Sequence, residues 1–209
     1  MSKRVSVEIA RVIMGSNFLD ISSVCDFPIL KYWSRDWAAK STLGVPFTTD
    51  QLHACRESHV LLLMWPLSIV ELKEIIGPQW FYQGWYRASV SAFAFARERG
   101  DMEWHLVSKV GLSESDNRTW EDQISLLKGD EMVPSAVTLI CTMIAHHLVT
   151  GQYLFQDCAA RTSSVVETEP DDHICVGIHD EGGLDIRYIW DLDPSSEDLV
   201  LAVEKCPFL

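Results

Sequence analysis

The chain has 209 residues, of which 47% are hydrophobic and 22% are charged, and this globular composition excludes a disordered chain. No apolar run reaches the roughly 18 residues that a membrane span needs. The net charge of −13 disfavours a broad surface for binding a phosphate backbone. We therefore expect neither a nucleic acid nor a membrane among the partners.

The acidic residues are concentrated in the C-terminal half. Residues 1–110 contain 12 Lys/Arg and 11 Asp/Glu, a net charge of +1, whereas residues 111–209 contain 5 and 19, a net charge of −14. Such a block of charge is typically a solvated surface that keeps the protein in solution. The alternative is a surface that attracts a basic partner.

The cysteines predict a reducing compartment. None of the six lies in a CxxC pair, and a chain of this length does not depend on disulfides for stability. Glu8 and Arg11 interrupt the apolar stretch that a signal peptide would need near the N-terminus. We expect reduced thiols and a cytoplasmic protein.

The first half of the chain predicts short helices around one strand. Residues 2–14 fit one helix, and Trp33 to Trp37 fit a second. Thr48 and Gln51 form a capping box, which predicts a helix that continues to about Glu57. The remaining predictions are an apolar strand at 59–65, a helix capped by Ser68 that runs to Ile76, an aromatic and alanine-rich segment at 80–99 that ends before Gly100, and a strand at 102–109.

The second half predicts a buried helix and a sheet. Thr119 can cap a helix over 120–127, and Pro134 precedes a helix over 135–150 that is apolar on nearly all sides, as in the centre of a fold. Strands are predicted at 159–166, 174–178, 184–190 and 199–203. The predicted fold class is α+β: a helical N-terminal part, and a central buried helix packed on a mainly antiparallel C-terminal sheet. We expect a single domain with a helical extension at 1–44, mixed helix and strand at 45–150, and a β-meander at 151–209.

A series of short motifs resembles a group of uncharacterised bacterial hypothetical proteins over about residues 45–191. The motifs include Pro66-Leu67-Ser68-Ile69, Trp104-His105-Leu106-Val107, Thr119-Trp120-Glu121-Asp122-Gln123, Arg161-Thr162-Ser163 and Trp190-Asp191. The group has no assigned reaction, cofactor or partner, so the resemblance transfers no functional residue. The chain departs from the group at Ala145-His146, where the group tends to have Gly-His, and in its tail.

Histidines supply the candidate catalytic residues. His105 or His146, with an acidic neighbour, could perform general acid–base chemistry. A metal site at His146-His147 is disfavoured because adjacent helical side chains point about 100° apart. Clusters around Cys55 and around Glu167 also lack the spacing of zinc and calcium sites, and we expect the acidic run at 167–172 to be a solvated hairpin loop. We expect no metal and no cofactor.

Two cations and an aromatic cluster supply the candidate ligand-binding residues. Arg161 and Arg187 are lone cations in predicted strands of the acidic half, where each either pairs with a nearby carboxylate or receives an anionic ligand group. Trp85 and Tyr86 belong to an aromatic cluster at 80–86 that could line a groove, although such clusters more often pack in a core.

Two classes of function follow from these patterns. The first is a soluble binding protein whose acidic surface holds a basic protein partner, as an inhibitor or immunity-type protein would. The second is a small acid–base enzyme with a cleft beside the central helix, in which His105 or His146 works with an acidic neighbour. No catalytic motif distinguishes between them, and the sequence does not predict the oligomeric state.

Overall fold

The computed structural model describes residues 4–24, 44–81, 93–180, 183–190 and 198–207. These residues form an α+β fold with six α-helices and two mixed sheets, which confirms the predicted class. The helices are α1 (Val7–Met14), α2 (Thr49–Cys55), α3 (Ile69–Ile76), α4 (Ala94–Arg97), α5 (Trp120–Ile124) and α6 (Ala136–Thr150). The strands are β1 (Phe18–Leu19), β2 (His59–Leu63), β3 (Trp104–Ser108), β4 (Glu131–Met132), β5 (Ala159–Val166), β6 (Glu169–Asp180), β7 (Gly183–Trp190), β8 (Leu199–Leu201) and β9 (Glu204–Lys205).

The first sheet has five strands in the order β1-β2-β3-β9-β4. β1 runs parallel to β2, and the other neighbours are antiparallel. β9 lies between β3 and β4, with Glu204 opposite Val107 on one side and Met132 on the other. The end of the chain therefore joins two strands that would otherwise not pair.

The second sheet has four strands in the order β7-β6-β5-β8. The β5–β6 and β6–β7 pairs are antiparallel, as predicted, whereas β8 pairs with β5 in parallel. The C-terminal segment is therefore not a simple meander, because β8 returns to the far side of β5 and β9 then enters the other sheet. The sequence gives no sign of this route, since both strands are only two or three residues long.

The central helix α6 is confirmed. The Ser135 hydroxyl accepts a hydrogen bond from the amide of Thr138, and Gly151 ends the helix in the left-handed conformation. Every residue from Ala136 to His146 is buried, and the helix contacts β2 and β3 of one sheet and β5 and β6 of the other. Burial on all sides is what an evenly apolar helix requires.

The predicted helix starts are largely correct. Thr48 and Ser68 each form a complete capping box, and Thr119 caps α5 through the amide of Asp122. The first helix is shorter than predicted, because Ser6 caps it and it begins at Val7. The predicted helix at 33–37 lies outside the described residues.

Two segments differ from their predictions. Within the described part of 80–99, only Ala94–Arg97 is α-helical. The acidic segment after β5 was predicted to be a solvated loop, but β6 begins at Glu169 and Asp172 is buried. The Glu167 carboxylate accepts a hydrogen bond from the amide of Ala94, the first residue of α4, and this bond uses a carboxylate that the sequence assigned to solvent.

Among the described helices, none has both the length and the apolar character that crossing a membrane requires.

Candidate functional site

The clearest candidate for chemistry is a histidine–carboxylate pair in the five-stranded sheet. His105 lies on β3 and Glu204 lies on β9, directly opposite Val107. Because side chains alternate along a strand, His105 and Val107 point to the same face as Glu204. His105 Nδ1 lies 2.7 Å from Glu204 Oε2, and because a carboxylate oxygen accepts, we assign the donated proton to Nδ1. Strand pairing therefore joins two residues that are 99 positions apart in the sequence.

The His105–Glu204 pair is mostly enclosed. The His105 side chain is 19% exposed and that of Glu204 is 6% exposed. The second ring nitrogen, His105 Nε2, is buried and has no hydrogen-bond partner among the described residues. With Nδ1–H directed at the carboxylate, the neutral ring carries its lone pair on Nε2, which can accept a proton or a hydrogen bond. This is the orientation of a general base backed by a carboxylate.

His146, the other catalytic candidate, has a structural environment. Its Nδ1 lies 3.1 Å from the carbonyl oxygen of Gln152 and 3.3 Å from the hydroxyl of Thr150. Burial in the last turns of α6 lowers the pKa of His146, with smaller contributions from the charges of Lys109 and His147. The structure thus joins His105, but not His146, to a carboxylate within the described residues.

Arg161 lies at the centre of a buried polar network. The side chain is fully buried, and its Nη1 donates to Gln123 Oε1 of α5 at 3.0 Å. The Gln123 amide donates in turn to the carbonyl of Ser115 at 2.6 Å, and the Ser115 hydroxyl accepts from the amide of Leu201 at 2.9 Å. This network connects β5, α5 and β8. Its geometry explains how an arginine is accommodated inside the fold, since buried polar groups need partners.

Arg187 shares a sheet row with Arg161. Cys175 of β6 lies opposite Arg161 on one side and Arg187 on the other, so the three side chains point to the same face. The Arg187 side chain is 40% exposed, and its Nε lies 3.9 Å from the carboxylate of Asp185. That distance is too long for a hydrogen bond, and the contact is a weak ion pair. The other two candidates, Trp85 and Tyr86, lie outside the described residues.

A second polar cluster lies on the face of β9 opposite to Glu204. Lys205 Nζ lies 3.0 Å from Asp130 and 2.9 Å from Glu131. The charges of this cluster also act on His59 of β2. Burial is the main reason that the pKa of His59 falls to about 4, and the Lys205 charge lowers it further. The described residues contain no group of three or more His, Cys, Asp or Glu that could hold a metal ion.

Sequence reasoning missed Glu204, which hydrogen-bonds to His105, and Gln123, which accepts a hydrogen bond from Arg161. Glu204 is in the tail, and Gln123 is a neutral residue on a short helix. The expectation that Arg161 pairs with a nearby carboxylate or receives an anionic ligand group stays a prediction. Only the strand order could have identified these partners, because no spacing in the sequence links them.

Comparisons with known proteins found no match to this chain. No family model matches the chain, and no curated protein and no solved structure matches it either.

Proposed function

We propose that this protein is a binding protein whose acidic half holds a basic protein partner. The observation that carries the proposal is how the two signs of charge are placed in residues 111–209. The cations of this half are mostly held by internal contacts, whereas the carboxylates in its described part mostly face water. A negative field therefore acts outward, and it can steer and orient a positively charged partner.

Four of the five cations are at least partly covered. Arg161 is fully buried, and Lys205 is paired with two carboxylates. Arg118 is half-buried and donates to the carbonyl of Glu114 at 2.6 Å, and Arg187 lies beside Asp185. Lys128 is exposed. Little positive charge is thus left to neutralise the acidic surface.

The carboxylates are distributed in the opposite way. In the described part of the same half, nine acidic residues are exposed. They are Glu114, Asp116, Glu121, Asp122, Asp157, Glu167, Glu169, Asp171 and Asp198. Apart from Glu167, which accepts a hydrogen bond from the Ala94 amide, these exposed carboxylates cost no desolvation in the free protein and remain available for charge pairing with a partner.

We also propose a cytoplasmic location. Cys55, Cys141, Cys158, Cys175 and Cys206 are all free thiols, as expected in a reducing compartment. Burial raises the pKa of Cys141, so this thiol is held in its unreactive form.

Calorimetric titration with a hexalysine peptide tests the binding proposal. The test variant neutralises Glu121, Asp157, Asp171 and Asp198 as Gln or Asn, and the matched control neutralises the exposed Glu57, Glu74, Glu98 and Glu103 of the other half. We expect the affinity of the wild type to fall steeply with salt. The test variant should lose about tenfold in affinity and the control about twofold or less. Equal losses, or no salt-sensitive binding by the wild type, would refute the proposal.

A second candidate function rests on the His105–Glu204 pair. The carboxylate fixes the His105 tautomer, and the Nε2 lone pair could take a proton from water or from a substrate hydroxyl while Glu204 stabilises the resulting imidazolium. Because Nε2 is itself covered, a substrate would first have to displace what surrounds it. This is why acid–base catalysis ranks second.

Hydrolysis of a panel of small esters and phosphate esters by the wild type and by His105→Gln tests this candidate. Loss of a general base should lower the rate by about 100-fold or more. The matched control is the exposed His53→Gln, which should leave the rate unchanged. The candidate fails if no substrate is turned over faster by the wild type than by His105→Gln. It also fails if ¹⁵N NMR shows that the proton of the neutral ring sits on Nε2.

A further inference from the structure

A serine–histidine pair lies at the start of β2. Ser58 Oγ is 2.8 Å from His59 Nδ1. A hydroxyl can donate and a neutral ring nitrogen can accept, so we assign the shared proton to Ser58 and the ring proton of His59 to Nε2. Ser58 is exposed, whereas His59 is partly buried. The pair thus combines an accessible hydroxyl with a shielded base, which is the arrangement that activates a serine nucleophile.

The backbone of Ser58 is held on both sides. Its amide donates to the carbonyl of Cys55 in α2 at 3.1 Å, and its carbonyl accepts from the amide of Lys109 at 2.9 Å. The first bond closes the turn between α2 and β2, and the second continues the pairing of β2 with β3. A nucleophile that is fixed in this way needs little ordering before it reacts.

The surroundings of His59 keep its ring in the form that accepts a proton. Burial lowers the pKa of His59 to about 4 and the Lys205 charge adds to this, so the ring is neutral at neutral pH. The carboxylates of Glu131 and Asp130 act in the opposite direction and favour the imidazolium. A base with a low pKa is weak, and we therefore expect a slow reaction that is limited to substrates with good leaving groups.

Lys109 supplies a positive charge beside the hydroxyl. It lies opposite Ser58, one position beyond the His59–Ser108 pair of β2 and β3. The Cβ atoms of directly opposed residues are about 5 Å apart, and a lysine side chain is longer than that. Among the described residues, no group is hydrogen-bonded to the Lys109 ammonium. It can therefore stabilise the negative charge that develops on a substrate oxygen at Ser58.

We propose that Ser58 is a nucleophile that accepts acyl groups from activated esters, with His59 as its general base and Lys109 as the charge that stabilises the oxyanion. Ser58 Oγ bonds to the carbonyl carbon while its proton passes to His59 Nδ1. The bond from that carbon to the alcohol oxygen then breaks, and the alcohol leaves with the proton from His59. Water attacks the acyl-serine by the same route and releases the acid. This activity is separate from the proposed binding of a basic partner and does not use His105.

Reaction of the full chain with p-nitrophenyl acetate and with a fluorophosphonate probe tests the inference. We expect mass spectrometry of peptides to locate the probe on Ser58. Release of p-nitrophenolate should fall by about 100-fold or more in Ser58→Ala and in His59→Gln, and by about tenfold in Lys109→Gln. The matched control is Ser125→Ala, which removes an exposed hydroxyl that donates to the Asp122 carbonyl instead of to a histidine. This variant should react within about twofold of the wild type.

The outcomes separate a reactive serine from a local structural contact. Because Ser58 is exposed, Ser58→Ala should fold, and thermal unfolding checks this for each variant. The inference is wrong if the probe labels other residues and not Ser58, or if folded Ser58→Ala or His59→Gln releases p-nitrophenolate as fast as the wild type. A wild-type rate in Lys109→Gln overturns the role of the ammonium. A rate that falls in His105→Gln but not in Ser58→Ala would assign the activity to the His105–Glu204 pair and overturn the inference.

Discussion

The two sheets treat their buried polar side chains differently. In the four-stranded sheet, Arg161 belongs to a network that passes through Gln123 and Ser115 to the backbone of β8. In the five-stranded sheet, His105 is hydrogen-bonded to Glu204 through Nδ1, and its Nε2 has no hydrogen-bond partner among the described residues. A network that uses its groups internally stabilises a fold, whereas an unused lone pair beside a carboxylate is available for binding or proton transfer.

This difference indicates that the position of His105 tolerates substitution with less loss of stability than the position of Arg161. Replacing Arg161 removes a buried hydrogen bond between β5 and α5, so this position supports the packing of the fold. Replacing His105 breaks one side-chain contact between β3 and β9, and the backbone pairing of these strands remains. Three measurements test this contrast.

The largest effect is expected for Arg161→Ala. The substitution leaves a cavity and removes the donor to Gln123, which then keeps an unsatisfied buried oxygen. We expect a loss of about 3 kcal/mol in the free energy of unfolding, measured in urea. Arg187→Ala is the matched control on the same face, and its partly exposed side chain should cost about 1 kcal/mol or less. Similar losses of unfolding free energy in the two variants would show that the buried network has no special role in stability.

The next effect is a loss of stability in acid that depends on His59. Its pKa is about 4 in the folded protein, below the ordinary histidine value of 6.5, so the unfolded chain binds the proton more readily. The stabilising contribution is complete above about pH 6.5 and is lost as the pH falls towards 4. From about pH 7 to about pH 5 this amounts to about 2 kcal/mol.

Urea unfolding of His59→Gln at the two pH values tests the origin of the acid sensitivity. The variant should lose less stability on acidification than the wild type, whereas the exposed His53→Gln should lose as much as the wild type. His146 and His147 have lowered pKa values too and will leave part of the effect in place. An unchanged pH dependence in His59→Gln would show that its burial is not what opposes protonation.

The smallest effect is the coupling between His105 and Glu204. A double-mutant cycle with His105→Gln and Glu204→Gln should give an interaction free energy of about 1 kcal/mol in urea unfolding, because the pair is one partly enclosed hydrogen bond. A coupling near zero would mean that the two residues are independent, and it would weaken the case for the pair as an acid–base site.

Much of the fold could be predicted from local patterns. Thr48, Ser68 and Thr119 cap the helices that they were expected to cap, because a hydroxyl at the N-cap satisfies an amide a few residues away. The evenly apolar run after Ser135 identified the buried helix for an equally direct reason. The predicted strands after residue 158 were found, although their order was not.

The candidate site was only half predictable. His105 could be proposed from its residue type, but Glu204 could not be assigned to it, because its position depends on a two-residue strand inserted between β3 and β4. The same holds for the hydrogen bond between Arg161 and Gln123, because no spacing in the sequence links β5 to α5. The acidic stretch from Glu167 also proved to be partly strand, since tertiary pairing overrides local charge repulsion.

The sequence by itself determined the class of fold, the capped helix starts, the central helix and the acidic C-terminal half, because each depends on composition or on residues within a few positions of one another. The tertiary structure decided the parallel pairing of β8, the insertion of β9 and the partners of His105 and Arg161. It also decided which charges face water. These features depend on contacts between distant segments, and the free energy of such contacts is set by which surfaces meet when the chain closes.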